Sequence, residues 1–200
     1  MALQVMAPQA VSATLLLMGS FMFVLGFINR RESHLAYFGA LCVGWALVNA
    51  RLWLRDLPLG HAEVEFLVCV MLGFTAWVAV QFLLRYAGGR FAWVDRALPV
   101  QGAVLPLSLV AAGSAHLHLM ASAWYLLLGT EVLAAALWHL QRLGRSRARW
   151  LMAPMLGAVA LAGLLELAVQ AFGAPPWAAQ AAELIVPLFF AGVGLRLVQQ

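Results

Sequence analysis

The sequence predicts an all-α membrane protein, a bundle of seven transmembrane helices, and three observations carry that expectation. Of 200 residues, 64% are apolar and 10% charged, with a mean hydropathy of +0.91; a soluble domain has about 25% charged residues. The apolar residues are gathered into stretches near the length of about 20 residues that crosses a bilayer as a helix. The arginines lie between those stretches, in alternately rich and poor connectors. So little polar surface cannot cover a water-soluble fold of this size, which sets aside a soluble enzyme. The chain reads as one domain over 1–200.

The expected spans are 8–29, 35–55, 66–87, 97–113, 119–140, 150–172 and 177–197. Arg30 and Arg31 follow the first apolar run and no basic residue precedes it. That is the pattern of an uncleaved first span, not of a secretory signal. The fourth span is the shortest and carries Pro99 and Pro106, which a membrane helix tolerates where neighbours satisfy the freed backbone groups. The sixth repeats small residues at i, i+4, Ala153 with Gly157 and Ala158 with Ala162, which lets helix backbones approach closely. In the seventh, Pro187 with Gly192 and Gly194 makes a candidate hinge, because proline removes a helical hydrogen bond. An ordinary kinked membrane helix reads the same way. The connectors Arg30–His34, Asp56–Glu65, Gly88–Arg96, Gly113–His118, Gln141–Arg149 and Gly173–Pro176 are short.

Ten arginines then fall on one side: Arg30, Arg31, Arg85, Arg90, Arg96, Arg142, Arg145, Arg147, Arg149 and Arg196. Arg51 and Arg55 fall on the other. Basic loops stay in the cytoplasm, so the amino terminus is expected outside and the carboxy terminus inside, in agreement with an odd number of spans. Trp53, Trp93, Trp150 and Trp177 lie near span ends, where an indole prefers to sit.

Ionisable groups within spans are costly and are candidate functional residues. Glu166 and Glu183 each come out about 9 Å below the outer end of their helices. Asn49 lies at a similar depth, with Arg51 slightly nearer the outside. Gln170 shares a helix face with Glu166, and Gln180 with Glu183. Asn49, Arg51, Glu166, Gln170, Gln180 and Glu183 therefore make a candidate ligand or signal pocket between spans two, six and seven. The competing reading is structural: Arg51 neutralises one glutamate, or a protonated glutamate hydrogen-bonds to a neighbour. Both stay open. Glu131 lies deeper in span five, where a structural hydrogen bond is the favoured role, and Gln81 is the other deep polar residue.

No metal or cofactor is expected. His116 and His118 share an outer connector while His34 and His139 lie near the inner face, which is not a converging set of three or four ligands. Facing histidines at 34 and 139 are only a faint haem option. Cys42 and Cys69 lie within apolar runs and read as small core residues. No phosphate-binding loop, dinucleotide fingerprint or nucleophile elbow is present. Retinal chemistry needs a lysine amine, and the chain has no lysine. The loop arginines are accounted for by topology and anionic lipid, so no nucleic-acid partner is expected.

Span two holds His34-Leu-Ala-Tyr-Phe-Gly-Ala40, then Trp45-Ala-Leu-Val-Asn49 and Arg51-Leu-Trp53. Span three ends in Gln81-Phe-Leu-Leu-Arg85-Tyr86, and Asp95-Arg96 precedes span four. This pattern resembles the seven-transmembrane receptor domain with diverse intracellular signalling modules, found in bacterial sensor histidine kinases and diguanylate cyclases. The topology match covers nearly the whole chain. The resemblance implies a sensor in the bacterial cytoplasmic membrane, a homodimer that relays a signal through its seventh helix to a cytoplasmic kinase domain. These 200 residues carry no catalytic motif and no such output domain. They also lack the extracellular domain that family members often place before the first span. They read as the membrane sensor portion of a longer signalling protein. A small transporter or a membrane accessory or scaffold subunit is the alternative, although no two-fold repeat or paired broken helices support a transporter.

Overall fold

A computed structural model describes residues 2–29, 32–50 and 60–142. The described residues are all-helical: α1 (Ala2–Ile28), α2 (Ser33–Ala50), α3 (His61–Tyr86) and α4 (Ala92–Arg142). α3 and α4 are long and apolar enough to cross a membrane, and the apolar stretches Ser12–Ile28 and Ser33–Val48 are shorter. The chain divides into two compact units, Met1–Leu128 and Gly129–Gln200.

In the first unit, successive helices run antiparallel. α1 and α2 meet along small residues: Gly26 lies against Ala36, and Gly19 against Gly39 and Cys42. A side chain at Gly39 would collide with the backbone of Gly19 and Phe23, so the two helices approach as closely as glycine alone allows. α2 then packs on α3 through Gly44 against Thr75, Phe38 against Phe82 and His34 against Tyr86.

α3 is the most enclosed of these helices. Five consecutive residues, Val80 to Leu84, are buried, which a helix facing a single neighbour does not achieve. Glu63 accepts the Gly60 N–H at 2.9 Å ahead of its first turn. Its other end closes through glycine. The Gly89 N–H donates to the Leu84 carbonyl at 2.8 Å and the Gly88 N–H to the Arg85 carbonyl at 3.0 Å. Gly88 has a φ of 73°, the left-handed residue that this helix stop requires.

α4 is nominally one helix of 51 residues, but Gly113 within it is not helical, with φ 64° and ψ 173°. Trp124 Nε1 donates to Ser108 Oγ at 2.8 Å, sixteen residues away. In a straight helix their Cα atoms would be about 24 Å apart, so the chain doubles back at Gly113. Its first half runs antiparallel to α3, with Leu105 against the position of Gly73. Its second half runs parallel to α3, with His118 beside Glu65 and Tyr125 hydrogen-bonded to Cys69. The expected connector Gly113–His118 is thus one glycine followed by helix. Likewise His61–Glu65, expected in a connector, forms the first turns of α3. In both places polar residues had the look of a loop, yet helix ends accept them.

Pro99 and Pro106 stay within the helix. Each leaves the carbonyl four residues earlier, at Asp95 and Gly102, without its helical donor. In the second unit, the described residues are the end of α4, where Glu131 is half-buried, His139 is buried and the Arg142 guanidinium lies 5.3 Å from the Trp138 ring centroid.

Candidate functional site: a polar junction at the Gly88 end

The most connected polar group among the described residues is at the end of the first unit marked by Gly88. Gln81 and Arg85 are one turn apart on α3, and Asp95 is in the first turn of α4. Gln81 Nε2 donates to Asp95 Oδ1 at 2.9 Å. Arg85 Nε donates to Gln81 Oε1 at 3.1 Å, and the Arg85 guanidinium reaches Asp95 Oδ1 at 3.3 Å. Both ends of the Gln81 amide are therefore used, as burial demands of a side chain only 4% exposed. The same guanidinium lies 5.0 Å from the Tyr37 ring centroid on α2, within cation–π range. One cation thus ties the ends of three helices.

The surroundings are aromatic. Phe38 and Phe82, both fully buried, lie 5.4 Å apart; Phe82 stacks on Tyr86 at 5.7 Å; and His34 meets Tyr86 edge-on at 5.4 Å. This apolar wall limits water to the outer side of the pair, where the Asp95 side chain is 40% exposed against 21% for Arg85. The arrangement has no nucleophile with a base and no ligand set for a metal. Among the described residues, no group of three or more His, Cys, Asp or Glu side chains is placed to hold a metal ion. What the junction can do is hold or release helix ends.

At the Gly113 end the polar contacts are fewer and more open. His118 Nδ1 lies 2.7 Å from Glu65 Oε1 on the exposed rim. Ser108 Oγ accepts from Trp124 and itself donates to the Leu105 carbonyl at 2.8 Å. Thr75 likewise donates to the Met71 carbonyl at 2.7 Å, so these hydroxyls satisfy themselves inside apolar helices. Ser12 is buried, and its hydroxyl has no hydrogen-bond partner among the described residues. The antiparallel register of α1 and α2 sets it level with the last turn of α2.

Of the pocket expected from sequence, Asn49 falls in that last turn of α2. Arg51, Glu166, Gln170, Gln180 and Glu183 lie outside the described residues, as do Pro187, Gly192 and Gly194 of the expected hinge and the sixth and seventh spans. Gln81, read from sequence as a deep polar residue and as the start of the motif that ends span three, belongs to the junction. The Glu65–His118 and Ser108–Trp124 pairs were not anticipated. Ser108–Trp124 bridges two expected spans and Glu65–His118 two expected connectors, and no spacing within one helix announces such a contact.

No protein-family model, curated protein or solved structure gives a significant match to this chain.

Proposed function

We propose that the chain is a multi-pass module of the bacterial cytoplasmic membrane, with seven spans, its amino terminus outside and its carboxy terminus in the cytoplasm. The observation that supports the membrane setting is the outer surface of the helices. Phe21, Phe27, Leu107, Val110 and Leu119 are all exposed, whereas the charged contacts sit at the two ends of the first unit. A patch of this kind on a soluble monomer would be a liability; against lipid tails it is the expected surface. In this setting the Gly88 end, near Arg85, Arg90 and Arg96, is cytoplasmic.

Within that membrane module, the proposed role is that of a sensor of the seven-transmembrane receptor type, the input of a homodimeric histidine kinase. Support comes from the residues that carry the resemblance: Gln81, Arg85 and Asp95 meet in one junction, and Tyr37 of the second-span motif meets them. A signal would act by shifting the population between two packings of the helices. Asn49, Arg51, Glu166, Gln170, Gln180 and Glu183 remain the proposed signal pocket.

Two measurements test this reading. Cysteines at Ser114 and Ser146 in a cysteine-free background are expected to label from the periplasmic and cytoplasmic sides respectively. Labelling of both from one side overturns the seven-span arrangement. The receptor role is tested on the full-length gene product in native membranes, which is expected to dimerise and to autophosphorylate. A monomer without phosphotransfer or cyclase activity overturns it.

A further inference from the structure

We infer that Arg85, Asp95 and Tyr37 form a latch with two positions, which in its closed position holds the start of α4 against the ends of α2 and α3. Three observations lead there. First, one guanidinium serves partners on three elements at once: Asp95 on α4, the Tyr37 ring on α2 and Gln81 on its own helix. A displacement of α4 relative to α2 must give up one of them.

Second, the three contacts are not equally protected. Gln81 is buried and Tyr37 half-buried, whereas the Asp95 side chain is 40% exposed. Water can replace the aspartate's donors at small cost, as at other partly exposed ion pairs, but it cannot enter between the guanidinium and the ring as readily. The latch therefore parts at Asp95, leaving Arg85 on Tyr37. Closure is restored because the buried Gln81 amide otherwise loses its acceptor, and a buried donor left unpaired is costly.

Third, the connection between α3 and α4 gives the required freedom. It runs through Gly88 and Gly89, and Gly88 has open space on the side where a Cβ would stand. The start of α4 can swing about this turn while the helix stop of α3 stays formed. At the other end, α4 is held by the Ser108–Trp124 bond within its own hairpin and by Glu65–His118, so the motion belongs to the Gly88 end alone. The latch depends on these helices only and stands whether or not a kinase domain reads it.

The test uses the whole 200-residue chain in lipid nanodiscs, with Cys42 and Cys69 replaced by alanine. Nitroxide labels at Glu32 and Ala92, both exposed, report the α2–α4 separation at the Gly88 end. Labels at Ala62 and Ser114, also exposed, report the opposite end. Wild type is expected to show one main 32–92 distance with a minor longer one. Asp95→Asn is expected to raise the longer population about threefold or more and to leave the 62–114 distribution unchanged. Arg85→Lys, which keeps the charge but not the planar fork, should fall between the two. Tyr37→Phe should behave as wild type, and Tyr37→Leu should widen the distribution. Identical 32–92 distributions in wild type, Asp95→Asn and Arg85→Met would overturn the latch. So would loosening at both ends together, which marks a merely structural contact.

Discussion

Trp124 Nε1 donates to Ser108 Oγ across 2.8 Å, and this one bond makes α4 a hairpin instead of a 51-residue rod. The hydroxyl is positioned in turn by its own donation to the Leu105 carbonyl. The indole therefore meets an acceptor whose hydrogen already points elsewhere. Both groups are satisfied by the pairing, as polar groups withdrawn from the surface generally are.

The turn itself rests on Gly113. Its φ of 64° with ψ of 173° lies in a region open essentially to glycine alone, and other residues pay about 1–3 kcal/mol to enter it. No atom lies within 4 Å of an added Cβ, so the cost of Gly113→Ala is conformational and not steric. The expected outcome is a loss of about 1–3 kcal/mol in reversible unfolding in mixed micelles, followed by circular dichroism. Asparagine discriminates the two glycine turns. Gly88→Asn should be tolerated better than Gly113→Asn, because the helix stop at Gly88 uses the left-handed region that asparagine also visits.

Coupling across the hairpin is measurable. Trp124→Phe keeps the ring and removes the donor, and Ser108→Ala removes the acceptor. Each single change should cost about 0.5–1.5 kcal/mol. The double mutant should cost less than the sum by about 0.6 kcal/mol or more, the size of side-chain hydrogen bonds measured between membrane helices. Additive losses would mean that the two groups do not interact in the folded protein.

The helical class and the approximate positions of the described helices were legible in the sequence, because long apolar runs broken by arginine leave few other structures. The break at Gly113 was legible too, as a glycine followed by Ser114 and two histidines. What could not be read was how abrupt it is: polar residues after a glycine look like loop, although His116 and His118 sit comfortably on an exposed first turn of helix. Of the junction, Gln81 stood out as a deep polar residue, Arg85 as one of the arginines on the basic side, and Asp95 as the partner of Arg96 ahead of span four. Their convergence did not, since contact between positions 81 and 95 depends on where the Gly88 turn aims α4. The close α1–α2 contact is not legible in the sequence. Gly19, Gly26 and Gly39 are spread over two helices, and their pairing is a matter of register, which periodicity within one helix does not encode.

That register gives the last prediction, a pair of opposite signs from one chemical change. At Gly39 an added methyl group meets the backbone oxygen of Gly19 and the backbone of Phe23. Backbone atoms have no rotamer by which to yield, so Gly39→Ala must push α1 and α2 apart and loosen the contacts of Gly26 with Ala36 and of Gly19 with Cys42. A cost of about 1–3 kcal/mol, the usual range for overpacking, is expected, and Gly39→Leu should be worse. Gly102 lies in the interior of the first half of α4, with nothing within 4 Å of an added Cβ. There Gly102→Ala restricts only the unfolded chain and improves the helix, for an expected gain of about 0.5–1 kcal/mol. Unfolding both variants in the same micelles reads the difference directly. If Gly39→Ala were neutral or stabilising, the close approach of α1 to α2 would be wrong. If Gly102→Ala were strongly destabilising, that face of α4 would be packed against another element and not open.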